Sequence, residues 1–510
     1  MQASFILFED EDWLVVNKPT GLAVTAPQQG KLGVLEWLKL HLNKTTHLCH
    51  HLANETSGVL VLAKNKGAQT RFKQHGQNVL GCEYVFWSHK STPTLRWTHN
   101  QPIRGEAATT HFEWQKEATG YHQYRANVYG ATPDQVSLHA TACEVPILGD
   151  NPSHSNRVFR PMLHLAKVTS PLWPMPLNAP VPPSFAALAT NDVVDIALAT
   201  CEDRRLGWIA SLTNAYRVVH RGEIHAVPFA AEIYGNRLSV WSYTDSPDAA
   251  QTLEILQPWI EKLMASYACD SALVRTSNRD PHHNQLTRAA HWIGPPRSEP
   301  FWIHEHGLHY RVQLIEGKHS GLFLDQRDSR RRVALQAARQ RVANLFSFTC
   351  SFSQVAIAQH AEVVFSVDLA KGCLRTGIQN LETNQLDGFG IGKFIREDAR
   401  KWLERQVRRK RNRAEMYSDW DFIICDPPVF AASQQKGTFN VSQAWSKLVA
   451  HSSYILAPNG TALFANNHRG GDDHAYENVL KKHFKQVIPL DPPLDFPLTN
   501  GTHVRTYWCH

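Results

Sequence analysis

The feature that most constrains the fold is an alternation of strand-like and helix-like segments that runs from about Val312 towards the C-terminus. Val342–Phe348 predicts a strand, and Phe352–His360 predicts the helix that follows it. Val363–Asp368 predicts a second strand, and Asp421–Pro428 contains another. This rhythm is typical of a doubly wound, mainly parallel sheet, in which ligands bind at the carboxyl ends of the strands.

Two aspartates at predicted strand ends suit a nucleoside ligand. Asp368 lies 19 residues after Thr349, a spacing typical of a carboxylate that accepts both hydroxyls of a ribose. Asp398 is placed to accept from an adenine amine. Taken singly, each aspartate is also typical of a helix cap or a turn.

Asp426 differs in kind because Pro427 and Pro428 follow it. The two prolines fix the backbone and remove two N–H donors, which leaves carbonyl oxygens free to accept from a substrate amine. Phe430 is then available to stack on a flat ring. The sequence therefore predicts a site for a planar base beside the nucleoside site.

In this order, the segments resemble the class I S-adenosylmethionine-dependent methyltransferases that modify bases of large-subunit ribosomal RNA. The resemblance covers about 304–510 and rests on Gly317–Arg327, Asn344–Phe352 and Cys425–Phe430. It implies a Rossmann-like α/β domain at the C-terminus, S-adenosylmethionine as the cofactor and RNA as the partner. The resemblance implies that the cofactor is bound by Phe348, Thr349, Ser351, Asp368, Asp398 and Asp426. It also implies that the catalytic residues are Asp426, Pro427, Phe430, Asn466 and Asn467.

The methylated atom is predicted from the residues after the late strand. Family members that methylate carbon 5 of cytosine carry a cysteine there, because an aromatic carbon needs a covalent thiolate adduct before it can attack. Ala465–Arg469 has Asn466 at that position and resembles the guanine-N7 branch, as does Thr438–Val441. A ring nitrogen already owns a lone pair, so aligning it with the methyl group is most of the task. Cys425 is an alternative thiol, but its apolar strand favours buried packing.

Cys350 departs from the family pattern, which has glycine at this position of the cofactor loop. If the position requires the left-handed conformation, cysteine costs about 1 kcal/mol and crowds the cofactor. The alternative to a working methyltransferase is therefore a catalytically inactive RNA-binding protein of ribosome assembly.

The first third resembles the RluA-type pseudouridine synthases at Leu14–Leu22, Thr56–Lys64 and Pro146–Asp150. The catalytic aspartate of that family is replaced by Ala53, which has neither charge nor lone pair. We therefore predict no isomerisation and a remaining RNA-binding or scaffold role. Glu55, two residues away, leaves a pseudouridine synthase open as an alternative.

A proline-rich stretch follows this first unit. Six prolines within 171–184 predict a semi-rigid linker. Thr213–His220, followed by Tyr234–Gly235, resembles the central domain of the methyltransferase family, whose role is RNA placement. The predicted units are a pseudouridine synthase-like α+β domain over 1–170, the linker over 171–184, a small central α+β domain over 185–311 and the methyltransferase domain over 312–510.

Basic charge is concentrated on one predicted helix. The chain has 53 Lys and Arg against 46 Asp and Glu, a formal net charge of +7, and residues 400–413 hold eight basic residues and one acid, Glu404. Such a run is either a solvated helix face or a surface that contacts phosphates. The predicted RNA-binding residues are Arg327, Arg400, Lys401, Arg405, Arg408, Arg409, Lys410, Arg411 and Arg413.

Metal sites, disulfides and membrane spans are not predicted. The nine cysteines are scattered, with no C-x-x-C pair, and the 28 histidines include adjacent pairs that an extended chain directs to opposite faces. No apolar run approaches the ~20 residues needed to cross a bilayer. We therefore expect a soluble, cytoplasmic protein without a bound metal.

Overall fold

The computed structural model describes residues 5–130, 134–150, 158–243, 249–279, 286–315, 319–387, 390–413, 419–433, 437–468, 473–498 and 504–510. Within these residues the strands form three sheets and two hairpins. Along the chain, a ten-stranded sheet comes first, a five-stranded sheet second and a seven-stranded sheet last. The predicted combination of α+β and α/β units is confirmed.

The N-terminal sheet is mixed and has the order β1-β2-β4-β9-β5-β8-β7-β6, with β3 paired to β4 and β10 to β9. Its centre is apolar on both faces, since every residue of β2 and β4 is buried. The elements are β1 (Ile6–Glu9), β2 (Trp13–Lys18), α1 (Val34–Leu42), β3 (His47–Leu48), β4 (Ser57–Ala63), α2 (Lys66–His75), β5 (Gly81–Ser88), β6 (Arg96–His99), β7 (Thr110–Ala118), β8 (Tyr121–Tyr129), α3 (Gln135–Ala142), β9 (Leu163–Thr169) and β10 (Leu177–Asn178).

The proline-rich stretch 171–184 packs against this sheet, so the prediction of a semi-rigid linker is wrong. The Trp173 ring lies 5.9 Å from that of Trp13, edge to face, and Leu177 joins the same buried cluster. Prolines stiffen the backbone but do not prevent the apolar residues between them from being buried. The predicted domain boundaries themselves remain predictions.

The central sheet has the order β11-β12-β13-β14-β15, antiparallel except for the parallel pair β13 and β14. The elements are α4 (Pro183–Ala187), α5 (Val193–Asp203), β11 (Ala215–Val219), β12 (Phe229–Tyr234), β13 (Arg237–Ser242), α6 (Ala249–Ser266), β14 (Ser271–Arg279), β15 (Leu286–Ile293) and the hairpin of β16 (Phe301–Glu305) and β17 (Leu308–Val312).

The C-terminal sheet has the order β20-β19-β18-β21-β24-β26-β25, and of its described strands β26 alone runs antiparallel. Buried clusters on both faces pack helices against it, as predicted for a doubly wound sheet. The elements are α7 (Arg327–Gln336), β18 (Arg341–Leu345), α8 (Ser351–Ala358), β19 (Val363–Asp368), α9 (Lys371–Thr383), β20 (Gly392–Arg396), α10 (Ala399–Arg411), β21 (Trp420–Cys425), β22 (Phe430–Ser433), β23 (Gly437–Asn440), α11 (Val441–Ile455), β24 (Leu456–Asn466), α12 (Asp473–Lys481), β25 (Val487–Leu490) and β26 (Arg505–Cys509).

Asp495 joins the central and C-terminal parts of the chain through a buried ion pair. Its carboxylate accepts from the two terminal nitrogens of Arg327 at 2.6 and 3.1 Å, and from the backbone N–H of Arg217 at 2.9 Å. Arg205 donates to the Asp495 carbonyl at 3.3 Å. Arg327 and Asp495 are both 0% exposed. Since a buried charge is tolerated only when its hydrogen bonds are made, this group fixes how the units meet.

The N-terminal unit also contacts the C-terminal part directly, through α1 and α7. Arg331 donates to the Leu40 carbonyl at 2.9 Å, and His41 Nε2 lies 3.3 Å from an Asp328 oxygen. Within the described segments, no helix is both long and apolar enough to cross a membrane.

Asp495→Asn removes one charge of the buried pair and leaves the Arg327 guanidinium without its main counter-ion. We expect the free energy of unfolding to fall by about 3 to 5 kcal/mol. Glu477→Gln is the control, because Glu477 pairs with Lys481 on the surface of α12 and its loss should cost at most about 0.5 kcal/mol. Urea unfolding followed by tryptophan fluorescence measures both variants, and equal losses would contradict the prediction.

Candidate active site

The loop after β18 alternates in and out of the left-handed backbone conformation. Phe346, Phe348 and Cys350 have φ angles of 57°, 49° and 64°, in a region that side-chain-bearing residues rarely adopt. Leu345, the last residue of β18, pairs with both neighbouring strands, β19 and β21. The loop therefore starts where the strand order reverses, which is where doubly wound sheets bind ligands.

Asp368 ends β19 and holds this loop in place. Its Oδ2 accepts from the backbone N–H of Phe348 at 2.9 Å, and its Oδ1 accepts from that of Ala370 at 2.7 Å. Burial raises the pKa of Asp368, and the backbone donors oppose that rise. The side chain is only partly buried, and each oxygen keeps a lone pair. This geometry suits a carboxylate that accepts two hydroxyls.

Cys350, which replaces the glycine of the family pattern, adopts the left-handed backbone conformation, with φ 64° and ψ 28°. Its thiol is 2% exposed and lies 3.6 Å from the Ser347 hydroxyl. A methyl group added to Gly377 of α9 would come within 2.7 Å of the Cys350 sulfur. The thiol is therefore accommodated by the missing side chain of Gly377. Burial raises the pKa of Cys350 to about 12, which favours a packing role for this thiol.

Two further contacts tie the loop to the chain that precedes α7. The Thr349 hydroxyl donates to the Gly321 carbonyl at 2.6 Å, and the rings of Phe348 and Phe323 lie 5.2 Å apart. Ser351 is the first residue of α8 and is partly buried. Phe348, Thr349, Ser351 and Asp368 are thus brought together at one strand end.

Asp398 follows β20 and caps α10. It accepts from the Arg400 backbone N–H at 2.9 Å, and the Arg400 guanidinium contacts both of its oxygens at 2.7 to 3.3 Å. Burial alone raises the pKa of Asp398, but Arg400 lowers it overall. The aspartate borders a cleft of about 410 Å³ between α10 and α11. The predicted adenine acceptor therefore already has a cationic partner.

Asp426 follows β21 and is partly buried, Pro427 is buried, and Phe430 on β22 is 60% exposed. Burial, followed by the charge of Asp325, raises the pKa of Asp426 to about 7, while Arg330 acts in the opposite direction. Sequence reasoning did not single out Asp325, whose charge raises the pKa of Asp426. The signal available in the sequence is its place within the motif Gly317–Arg327, two residues before α7 begins.

Asn466 ends β24 with its side chain fully buried. Its Oδ1 accepts from the His468 backbone N–H at 2.9 Å, whereas its Nδ2 has no hydrogen-bond partner among the described residues. Asn467 is exposed. An orphaned buried donor is costly, which makes Asn466 a candidate to bind a ligand acceptor. The motif residues 317, 318 and 469 lie outside the described residues.

Cys425, the alternative thiol, is 0% exposed, and burial raises its pKa. It packs inside β21, between paired residues of β18 and β24. Its burial agrees with the prediction that it is a packing residue.

The nine residues predicted to contact RNA fall into three groups. Arg327 is buried against Asp495, so its prediction as an RNA contact is wrong: the same fork of donors that suits a phosphate here binds an internal carboxylate. Three more are ion-paired, Arg400 with Asp398, Arg405 with Glu397 and Lys410 with Asp419. The remaining five, Lys401, Arg408, Arg409, Arg411 and Arg413, are exposed on or just after α10.

Position 53, where the pseudouridine synthases that the N-terminal unit resembles carry their catalytic aspartate, lies on the surface. Ala53 is exposed, and the neighbouring Glu55 accepts from the Thr20 hydroxyl at 2.9 Å. The Glu55 carboxylate is therefore held against the loop after β2. Among the residues that the structure describes, no cluster of three or more His, Cys, Asp or Glu side chains could hold a metal ion.

We compared the sequence with models of known protein families, and two families match. The family described as S-adenosylmethionine-dependent methyltransferase matches residues 238–502, more than half of the chain. The chain belongs to this family. A second family, RNA pseudouridylate synthase, matches residues 12–136. Both resemblances predicted from the sequence are confirmed.

Individual proteins that the chain resembles are also methyltransferases by name. Ribosomal RNA large subunit methyltransferase K/L of Pseudoalteromonas translucida (strain TAC 125) is 29% identical over 264 residues, 50% of this chain and 35% of that protein. Ribosomal RNA large subunit methyltransferase K of Neisseria meningitidis serogroup B is 29% identical over 291 residues, 54% of this chain and 77% of that protein. The chain thus spans about a third of the length of the K/L relatives that it matches. A solved structure named as a methyltransferase complexed with SAH is 25% identical with a TM-score of 0.50, covering 60% of this chain and 78% of that one.

Gly377→Ala tests how Cys350 is accommodated. The added methyl group meets the Cys350 side chain, so we expect unfolding to become easier by roughly 1 to 3 kcal/mol. Cys350→Gly should restore most of this loss in the double variant, because the two residues are in contact. Gly372→Ala in the same helix is the control, since its methyl group meets nothing within 4 Å. Strictly additive losses in urea unfolding would contradict the contact.

Asp426 makes stability depend on pH. Its pKa is raised from 3.8 to about 7 in the folded protein, so the folded state binds the extra proton between these values. We expect its stabilising contribution to be complete below pH 3.8 and lost as the pH rises through about 7. Asp426→Asn should remove this slope. The difference in unfolding temperature between the two proteins, measured across this range, checks the prediction, and a constant difference would refute it.

Proposed function

We propose that the chain transfers a methyl group from S-adenosylmethionine to a base of large-subunit ribosomal RNA, most favourably to a guanine nitrogen. The observation that carries this proposal is the Asp368 carboxylate, which two backbone N–H groups orient beside the loop after β18. The names of the relatives supply the substrate class.

The residues around Asp368 fit the cofactor. Asp368 would accept from the ribose hydroxyls, Asp398 from the adenine amine, and Phe348, Thr349 and Ser351 would line the loop beside it. Leu369, 37% exposed next to Asp368, offers an apolar surface for a purine. When bound, S-adenosylmethionine supplies an electrophilic methyl group on a sulfonium.

Asp426 and its neighbours would hold the base. Phe430 is exposed enough to stack on a base that has left its helix. Asp426 and Pro427 would orient the base edge, and Asn466, with its unpaired buried Nδ2, would donate to a base acceptor with Asn467 beside it. A ring nitrogen needs no covalent activation, which agrees with the burial of Cys425 beside Asp426.

The five exposed basic residues of α10 would contact the RNA backbone and supply sequence-independent affinity. They are Lys401, Arg408, Arg409, Arg411 and Arg413. The substrate would be ribosomal RNA or a precursor of the large subunit in the cytoplasm, and the reaction needs no metal.

The N-terminal unit would bind or position RNA without isomerising uridine. Ala53 cannot attack a ribose or a base, and the Glu55 carboxylate is engaged with Thr20. Release of tritium from labelled uridine RNA tests the alternative, a working pseudouridine synthase. Release that disappears in Glu55→Ala would establish it.

The methylation experiment compares nucleosides of ribosomal RNA from cells with and without the gene by mass spectrometry. Loss of one methylated guanosine, restored by the purified chain and S-adenosylmethionine, is the expected result. Unchanged nucleosides, together with no binding of the cofactor, would favour an inactive assembly protein.

Asp368→Asn should abolish most cofactor affinity, and it also removes one of the two acceptors that hold the loop after β18. The amide keeps one acceptor but loses the charge that makes both hydroxyl bonds strong, so we expect at least a tenfold weaker Kd for SAH, about 1.4 kcal/mol. Isothermal titration calorimetry measures the Kd. Asp387→Asn, an exposed aspartate beyond α9, is the control and should bind SAH like the wild type.

A further inference from the structure

Arg400 donates three N–H groups to Asp398, and its Nε–H is shared between the two oxygens. Oδ1 accepts from the Arg400 backbone N–H at 2.9 Å and from its Nε at 3.1 Å. Oδ2 accepts from Nε at 3.3 Å and from a terminal nitrogen at 2.7 Å. A carboxylate has about four lone-pair sites. An amine that binds Asp398 therefore competes with the guanidinium N–H groups for the carboxylate.

The Arg400 side chain lies at the boundary between this carboxylate and solvent. It is 34% exposed, whereas Asp398 is 5% exposed. The guanidinium carbon lies 5.3 Å from the centre of the Phe439 ring, which is itself buried. This stacking gives the side chain a support outside the ion pair. To leave Asp398, Arg400 would rotate its own side chain towards solvent and give up this ring contact together with the ion pair.

The surroundings of Arg400 favour a polyanion as the group that draws it away. It occupies the first turn of the helix that carries the exposed Lys401, Arg408 and Arg409. A phosphate approaching Arg400 at this cleft meets Lys401 and Lys447, together with the Glu404 carboxylate that Lys447 contacts. A guanidinium binds phosphate oxygens in the same forked geometry in which it binds a carboxylate.

We propose that Arg400 couples RNA binding to cofactor binding, by covering Asp398 in the absence of RNA and turning to a phosphate when RNA docks on α10. The proposal rests on the proposed function, since it takes Asp398 as the adenine acceptor and α10 as the RNA surface. Covering Asp398 weakens cofactor binding, and RNA removes that competition. Because coupling is reciprocal, the cofactor must strengthen RNA binding by the same factor.

The change in cofactor affinity that RNA causes is limited by the strength of the ion pair between Arg400 and Asp398, which is partly exposed. Such pairs are weak and screened by salt, so we expect RNA to tighten cofactor binding roughly threefold to fivefold at moderate ionic strength. Coupling of this size would disfavour cofactor binding before the substrate is in place without preventing it.

The experiment titrates SAH into the full-length chain by calorimetry, with and without a short oligouridylate at fixed ionic strength. For the wild type we expect oligouridylate to tighten SAH binding. Arg400→Ala should bind SAH without RNA as tightly as the wild type does with it, and should show no further response. Arg400→Gln, which keeps the aliphatic stem, repeats the test should the alanine variant be poorly folded.

Lys447→Ala is the matched control. Lys447 borders the same cleft but pairs with Glu404 on α10, so its loss removes a cation without uncovering Asp398. This variant should respond to oligouridylate as the wild type does.

Each other outcome overturns the proposal in a recognisable way. Weaker SAH binding by both Arg400 variants would mean that Arg400 positions Asp398 instead of covering it. SAH binding that does not respond to oligouridylate in the wild type would remove the coupling and leave the proposed function standing. No SAH binding by the wild type or any variant would overturn the proposed function, and the coupling with it.

Discussion

The buried ion pair between Arg327 and Asp495 is the interaction on which the arrangement of the units depends. Taking two charges out of water costs several kcal/mol per ion, and the structure offsets this cost with the carboxylate–guanidinium bonds, the Arg217 N–H and the Ala215 carbonyl. These partners come from α7, the central sheet and the loop before β26. Only the assembled chain supplies all of them, so the pair is stable in one arrangement and costly in any other.

The candidate site lies at one edge of the C-terminal sheet. Parallel strands present their carboxyl ends together, so Asp368, Asp398 and Asp426 gather although up to 58 residues separate them. Each then has a different partner: backbone N–H groups for Asp368, a guanidinium for Asp398 and a second carboxyl group, Asp325, for Asp426. Three identical side chains thereby acquire three different affinities for protons and hydrogen-bond donors.

Departures from a family pattern are tolerated where packing can absorb them. Cys350 stands in a left-handed loop, and the neighbouring helix makes room for it with Gly377. In the N-terminal unit, Ala53 lies on the surface, where its loss of a carboxylate costs the apolar sheet nothing. The fold of that unit is held by the buried strands β2 and β4 and does not depend on the side chain at position 53.

The sequence by itself determined the class of the sheet, the strand-end acids and the two family resemblances, because strand and helix periodicity and short motifs are local properties of the chain. Only the tertiary structure decided which charged side chains are exposed to solvent and which are buried in ion pairs. Arg327 and the exposed Arg408 are equally basic in the sequence, yet one is buried against Asp495 and the other faces solvent. The prolines of 171–184 likewise indicate stiffness, but not the sheet that buries Trp173. Ion pairing and burial depend on residues distant in the chain, so no local pattern encodes them.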